Sequence, residues 1–277
     1  MKKKKLIKKI FLYTLMVIIG IIFAFPVYWI FTKAFNGPAG ILAYPPELIP
    51  NELNLDNFRY ADDVYNIFQQ MGNSVFVASL SVFGATFSSL FVAYGFARMK
   101  FKGKTFLFSL LLASMMLPWD ILVIPQFIGF TKLGLTDSYI PLILPYCFGY
   151  PFYIFLMRQF IMGIPYELDE AALIDGSSRL GTFFRIIMPL MKPVIATVVV
   201  YQFLFAWNDF LNPLVYITSS SKFTISLGIF YMKDSMFGVD WPAIMAGGAV
   251  AVIVPLIVFS FAQRYLIEGI ASSGIKG

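Results

Sequence analysis

The sequence predicts an all-α integral membrane protein with six transmembrane helices. Three observations carry this. First, 59% of the 277 residues are hydrophobic and only 13% are charged, about half the charged share of a soluble domain. Second, the mean hydropathy is +0.77, whereas a soluble protein of this length needs far more polar side chains to cover its surface. Third, long charge-free runs recur, and a span needs about 20 mostly apolar residues. No period-2 barrel pattern appears, so the spans read as helices. The same figures exclude a disordered chain, a nucleic-acid-binding domain and an ordinary cytosolic enzyme. The sequence holds no histidine, which removes histidine general bases and metal ligands. Its one cysteine, Cys147, forbids an intrachain disulfide. No catalytic residue and no metal site is expected.

The elements follow in order. Lys9 to Lys33 encloses 23 uncharged residues, the first span at about 10–32. Lys2 to Lys5, Lys8 and Lys9 precede it, as in a signal peptide, but the apolar run is too long and no clean cleavage site follows. It reads as an uncleaved helix. Asp63 to Arg98 encloses 34 uncharged residues, with the second span at 74–97. Asp137 to Arg158 encloses 20, giving the fourth span at 138–157. Asp240 to Arg264 encloses 23, giving the sixth at 242–263. Two more spans each contain one acid: 105–128 across Asp120, and 189–211 with Asp209 near its end. The whole chain, 1–277, reads as one transmembrane domain.

Lysine and arginine orient these spans. With the N-terminus cytoplasmic, 16 of the 21 fall in inner segments, and every inner segment contributes. Trp29, Trp119, Trp207 and Trp241 then lie towards the outer ends of spans, as an interfacial aromatic belt requires. Three long loops remain: an outer loop at 33–73, an inner loop at 158–188 and an outer loop at 212–240. Long loops in a compact protein are often functional.

Within the spans, Gly84 and Ser88, Ala85 and Ser89, and Ala243, Gly247 and Ala251 place small residues four apart. Such rows let helices approach closely, and ordinary packing accounts for them. Prolines and glycines interrupt several spans, including Pro118 and Pro125. Broken helices line transporter cavities, and they are also common in membrane helices generally. Asp120 lies about 22 Å along its helix from Thr105, at roughly 1.5 Å per residue, in the outer half. Asp209 stands beside Asn208 and Asn212. Two readings of these four residues stand: a polar translocation pathway, or interfacial groups already in water. Gly103-Lys104-Thr105 resembles the end of a phosphate-binding loop, but Arg98 sits where the first glycine belongs, and no strand precedes it. The chain has no ATP site of its own.

The inner loop at 165–189 reads as helix, turn, helix. Pro165 suits a first helical position. Glu167, Asp169 and Glu170 sit at the positive end of a helix dipole. Gly176 can take the left-handed conformation that ends a helix, and Ser177 or Ser178 can cap the next one. Leu180, Phe183, Phe184 and Ile187 recur at helical spacing as an apolar face. The physics leaves two readings: a docking hairpin, or an amphipathic helix on the bilayer.

The loop resembles the EAA motif of ATP-binding-cassette importer permeases. Glu170-Ala171-Ala172 is followed by Gly176, Ile186 and Pro189 at that motif's spacing, with Met188 where a leucine is usual. The resemblance covers nearly the whole chain and is closest to the carbohydrate-uptake branch, the smaller permease of maltose-type transporters. Trp207-Asn208-Asp209-Phe210, Gln263-Arg264-Tyr265 with Gly269, and Gly274-Ile275-Lys276-Gly277 share it. It implies a type I importer permease with a cytoplasmic coupling loop between helices 4 and 5. It implies a second permease subunit, two cytoplasmic ATPase subunits that hold ATP and Mg, and an extracytoplasmic solute-binding protein, all in a lipid membrane. By the resemblance, Glu170, Ala171, Ala172, Asp175, Gly176, Ile186 and Pro189 couple to the ATPase. Gly274, Lys276 and Gly277 form a tail towards it, and the loop at 218–240 meets the binding protein. This chain binds no cofactor and catalyses nothing; it supplies a sugar or oligosaccharide path through two alternating states. The alternatives are the same importer with another solute, such as a glycerol phosphate or an oligopeptide, a secondary transporter with Asp120 and Asp209 as its relay, or a membrane scaffold.

Overall fold

Proline and glycine placement, as much as hydropathy, sets where these helices stop. The computed structural model describes residues 2–50, 53–233 and 238–274, with side chains for 4–37, 40–50, 53–233 and 238–264. Regular structure among the described residues is helical. The chain opens on α1 (Lys2–Phe35), followed by α2 (Asp56–Tyr65) and α3 (Ile67–Arg98). Next come α4 (Lys104–Ser114) and α5 (Trp119–Lys132). Short turns at Ile140–Ile143 and Leu144–Phe148 lead into α6 (Pro151–Met162). The loop beyond holds α7 (Glu167–Ile174), α8 (Arg179–Thr182) and a π-helical turn, Phe183–Ile187. The chain closes with α9 (Lys192–Asn208), α10 (Leu211–Tyr216), α11 (Ile225–Lys233) and α12 (Trp241–Gly274).

Four stretches are long and apolar enough to cross a membrane: Lys4–Phe35, Ile67–Arg98, Ile140–Met162 and Trp241–Arg264. From Leu6 to Phe25 of α1 the large apolar side chains are exposed; Phe23 is 77% exposed. Two further stretches reach span length only as bent pairs. Lys104–Ser114 meets Trp119–Lys132 at 97°, and Arg179–Leu190 meets Lys192–Asn208 at 75°. The stretch expected as a span over 105–128 is therefore sharply bent at the interruption that Pro118 marks. Pro118 has no N–H to donate and disfavours a helical Leu117. It adopts an extended conformation (φ −69°, ψ 147°) as the N-cap of α5. Asp120 consequently occupies the first turn of a new helix instead of a point far along an old one.

Close contacts group Met1–Met71 with Leu227–Val254, and Gly72–Ser226 with Pro255–Gly277. In the first unit Lys33 is buried, its Nζ donating to the Gly40 carbonyl at 2.8 Å and lying 4.8 Å from the Trp29 ring. Asp240 ends the connection that opens α12. One carboxylate oxygen accepts from the Tyr60 and Tyr65 hydroxyls at 2.8 and 3.0 Å, and the other from the Ala243 N–H at 3.2 Å. This caps donors that a helix start otherwise leaves unpaired.

The second unit has a continuous core. Ala85, Leu90 and Tyr94 of α3 pack with Met157 and Ile161 of α6, Phe183 and Ile187 of the π turn, and Val194 and Val198 of α9. The small-residue row on α3 is used here. A Cβ at Gly84 would stand 2.5 Å from Cys147 Sγ, inside any real contact. Ser89 Oγ accepts the Tyr150 N–H at 3.1 Å.

Candidate functional site

The loop between α6 and α9 is built as a fixed platform. Glu167, Asp169 and Glu170 open α7, where carboxylates favour the helix N-terminus. Gly176 stands at φ +79°, a region costly for any residue with a Cβ, and turns the chain. Of the two serines expected as caps, Ser178 does so: its Oγ accepts the Gly181 N–H at 3.1 Å. The apolar residues expected to form one face, Leu180, Phe183, Phe184 and Ile187, divide by burial. Phe183 and Ile187 are buried, whereas Leu180 and Phe184 are exposed. The π turn adds a residue and rotates the register.

The expected coupling residues divide by burial. Glu170, Ala171, Asp175, Gly176 and Pro189 are exposed, Ile186 is half-buried, and Ala172 packs inward beside Asp169. Ile174 is 86% exposed next to Asp175, so α7 presents an apolar and acidic face with no described partner. The opposite face is anchored by a contact that sequence reasoning missed. Arg98, the last residue of α3, places Nε 3.0 Å from Asp169 Oδ2, an ion pair without hydrogen-bond alignment. The Arg98 Nη2 donates to the Ile164 carbonyl at 2.8 Å, its guanidinium lies 5.5 Å from the Tyr166 ring, and the Tyr94 hydroxyl donates to the Arg179 carbonyl at 3.2 Å. Gly274 is the last described residue; Lys276 and Gly277, and the side chains of Tyr265 and beyond, lie outside the described residues.

A cavity of about 1150 Å³ opens within the second unit, and Asp120, Asn208, Asp209 and Asn212 all line it. The two chain breaks bring them together. The bend before α5 delivers Trp119 and Asp120, and the end of α9 at Asn208 delivers the others. Asp209 is extended, at ψ 118°. Polar links then cross the cavity edge. Trp119 Nε1 donates to Asn212 Oδ1 at 3.0 Å, and Asn212 Nδ2 donates to Asp209 Oδ2 at 2.8 Å. Asn212 also donates its backbone N–H to Asp209 Oδ1 at 3.1 Å. Tyr146, Tyr150, Phe152, Tyr201 and Phe205 supply aromatic walls.

A third cluster joins two loops. Asp137, at φ +54°, accepts from the Thr218 and Ser219 N–H groups, the Ser219 hydroxyl and Lys222 Nζ, at 3.0, 2.8, 2.6 and 2.9 Å. These donors hold its carboxyl well below the usual carboxylate range, the Ser219 hydroxyl foremost.

The family described as "Binding-protein-dependent transport system inner membrane component" matches residues 85–272. The chain belongs to this family. Among curated relatives, the permease is 37% identical over 229 residues to the arabinooligosaccharides transport system permease protein AraQ of Halalkalibacterium halodurans, covering 82% of this chain and 81% of that one. It is 31% identical to the diacetylchitobiose uptake system permease protein DasC of Streptomyces coelicolor, covering 94% and 95%. A bacterial ABC transporter involved in import of the acidic polysaccharide alginate superposes with a TM-score of 0.79 at 20% identity, over 94% of this chain and 96% of that one. That likeness establishes the fold. The protein is a multi-pass permease of the cytoplasmic membrane, a transport component and not an enzyme.

Proposed function

We propose that this permease forms half of the transmembrane path of an ATP-driven importer, carrying an oligosaccharide handed over by an extracytoplasmic solute-binding protein. The observation that carries the reading is the cavity lined by Asp120, Asn208, Asp209 and Asn212 in a chain of this family. Relatives named for arabino-oligosaccharide and diacetylchitobiose uptake support the solute class. A second permease completes the path, and two ATPase subunits supply ATP and Mg.

In this reading the chain crosses the membrane six times, each bent pair counting as one span, with both termini cytoplasmic. The lysine and arginine sidedness supports that orientation. The exposed face of α7, with Glu170, Ala171, Asp175 and Gly176, docks in a groove of the ATPase, while Ala172, Ile186 and Pro189 shape it from behind. Gly274, Lys276 and Gly277 extend towards the same partner. ATP closes the ATPase pair, the docked helices move with it, and the cavity alternates between the two sides. No chemistry is required of this chain; it supplies two stable arrangements and a route between them.

Gly176 tests the docking. No atom lies within 4 Å of where its Cβ would be, so a side chain fits the isolated chain apart from a φ penalty of about 1 kcal/mol. Gly176→Leu should therefore insert in the membrane normally yet fail to co-purify with the ATPase subunits. Normal assembly and normal ATP-dependent uptake by Gly176→Leu would refute it.

A further inference from the structure

We propose that the cavity is a charge filter, in which Asp120, backed by Asp209, admits uncharged oligosaccharides and turns away uronates and sugar phosphates. This rests on the reading above that the cavity is the solute path. Three features support it. The lining holds two carboxylates and no lysine or arginine among the described residues. Asp120 is exposed to the cavity and has no hydrogen-bond or ion-pair partner among the described residues, so no described group of this chain neutralises its charge. The walls are aromatic, offering ring faces of Trp119, Tyr146, Tyr150, Phe152, Tyr201 and Phe205 to the apolar faces of sugar rings. Sugar hydroxyls then donate to the carboxylates, whereas the extra negative charge of a uronate or sugar phosphate is repelled by them.

The two carboxylates differ in their roles. Asp209 has both oxygens engaged by Asn212, and Asn212 is in turn held by the Trp119 indole. Its orientation is fixed and its charge is shared with those donors. Asp120 carries no such partners and sets the sign of the potential. A concave, low-dielectric site focuses that potential and enriches ions of the opposite sign.

The charge can be read without knowing the solute. In the assembled importer in membrane vesicles, Cys147→Ala removes the native thiol and Tyr201→Cys places one on the cavity wall. The probes are a cationic trimethylammonium-ethyl methanethiosulfonate and an anionic sulfonatoethyl methanethiosulfonate. The cation-to-anion rate ratio at this cysteine should exceed that of a free thiol by about tenfold or more. Asp120→Asn, which keeps the side-chain volume, should remove most of the excess, and Asp209→Asn a smaller part. A ratio within about twofold of the free thiol, or one that Asp120→Asn leaves unchanged, overturns the filter. Galactotriose in excess should slow labelling, and trigalacturonate should not; protection by the acid, or by neither sugar, overturns the assignment to uncharged glycans. ATP-dependent uptake in the same vesicles is scored separately. Absence of uptake by the importer without these substitutions, with the ratio intact, would count against the transport reading while the charge selectivity of the cavity stood.

Discussion

Arg98 Nε stands 3.0 Å from Asp169 Oδ2, with both side chains only 8% exposed. The pair ties the end of the long helix α3 to the first turn of the short helix α7, and α7 carries the exposed face proposed to meet the ATPase. A buried ion pair is weak evidence for stability, because desolvation consumes much of the Coulombic gain. Its value here is positional: α7 cannot rotate without stranding a charge.

That argument separates two kinds of variant. Removing one partner, as in Arg98→Ala or Asp169→Ala, leaves the other charge buried and should cost about 3–5 kcal/mol in unfolding free energy. Replacing both with apolar residues, Arg98→Met with Asp169→Leu, should recover most of the stability but not the ATPase stimulation, since nothing then fixes the angle of α7. Thermal unfolding of the detergent-solubilised permease and ATP turnover by the assembled importer check the two halves. Full turnover in the double variant would show that the pair does not position α7.

Asp137 predicts a pH effect with a definite sign. Its carboxyl titrates below the usual range in the folded chain because Ser219, Lys222 and Thr218 donate to it. An unfolded aspartate takes up its proton near pH 4. The native form binds fewer protons, so this contribution is fully present above about pH 4 and declines progressively as the pH falls below it. Amide exchange at Thr218 and Ser219 should accelerate below that pH, beyond the intrinsic trend. Asp137→Asn should show fast exchange already at pH 7 and lose the pH dependence. Unchanged protection in Asp137→Asn would show that the carboxylate does not hold the loop at 217–222.

The sequence allowed part of this site to be anticipated. Gly176 and Ser178 obey local rules, so a turn and a cap could be expected from residue type alone. Asp120, Asn208, Asp209 and Asn212 were singled out because ionisable and amide groups within apolar runs are costly, and they prove to line one cavity. Pro118 marks an interruption in the sequence, but the 97° angle of the bend there was not legible, because an apolar run reports hydropathy and not direction. Arg98 with Asp169, and Asp137 with Ser219 and Lys222, were also hidden. Each pairs residues far apart in the chain, and no periodicity records such a meeting. The π turn at Phe183–Ile187 was hidden for a third reason: sequence spacing treats the helical register as constant.

Asn212 bridges Trp119 to Asp209, and cutting that bridge should be visible in transport. Asn212→Leu leaves the indole N–H and part of the carboxylate without partners, each a loss of about 1–3 kcal/mol if water does not replace it. The permease should still assemble, and uptake should slow several-fold. Trp119→Phe removes the indole donor alone and should have a milder effect. Uptake rates across a range of solute concentrations, with assembly measured in parallel, decide the matter. Equal rates in wild type and Asn212→Leu would show that the relay does not shape the path.

Gly84 offers a test of packing with a built-in control. The ideal Cβ position lies 2.5 Å from Cys147 Sγ, 3.4 Å from its Cα and 3.5 Å from its Cβ. The clash is therefore with the sulfur atom alone. Overpacking of this kind costs about 1–3 kcal/mol, because neighbouring helices must shift or leave their rotamers. Gly84→Ala should lower the unfolding temperature of the purified permease. Adding Cys147→Ala removes the sulfur and leaves contacts within the ordinary range, so the double variant should return most of the loss. Cys147→Ala by itself opens a small void and should be mildly destabilising. The prediction is thus a sign reversal: the same cysteine substitution hurts the wild type and helps Gly84→Ala. Additive losses in the double variant would mean that α3 and the turn at Leu144–Phe148 do not approach as closely as the glycine row allows.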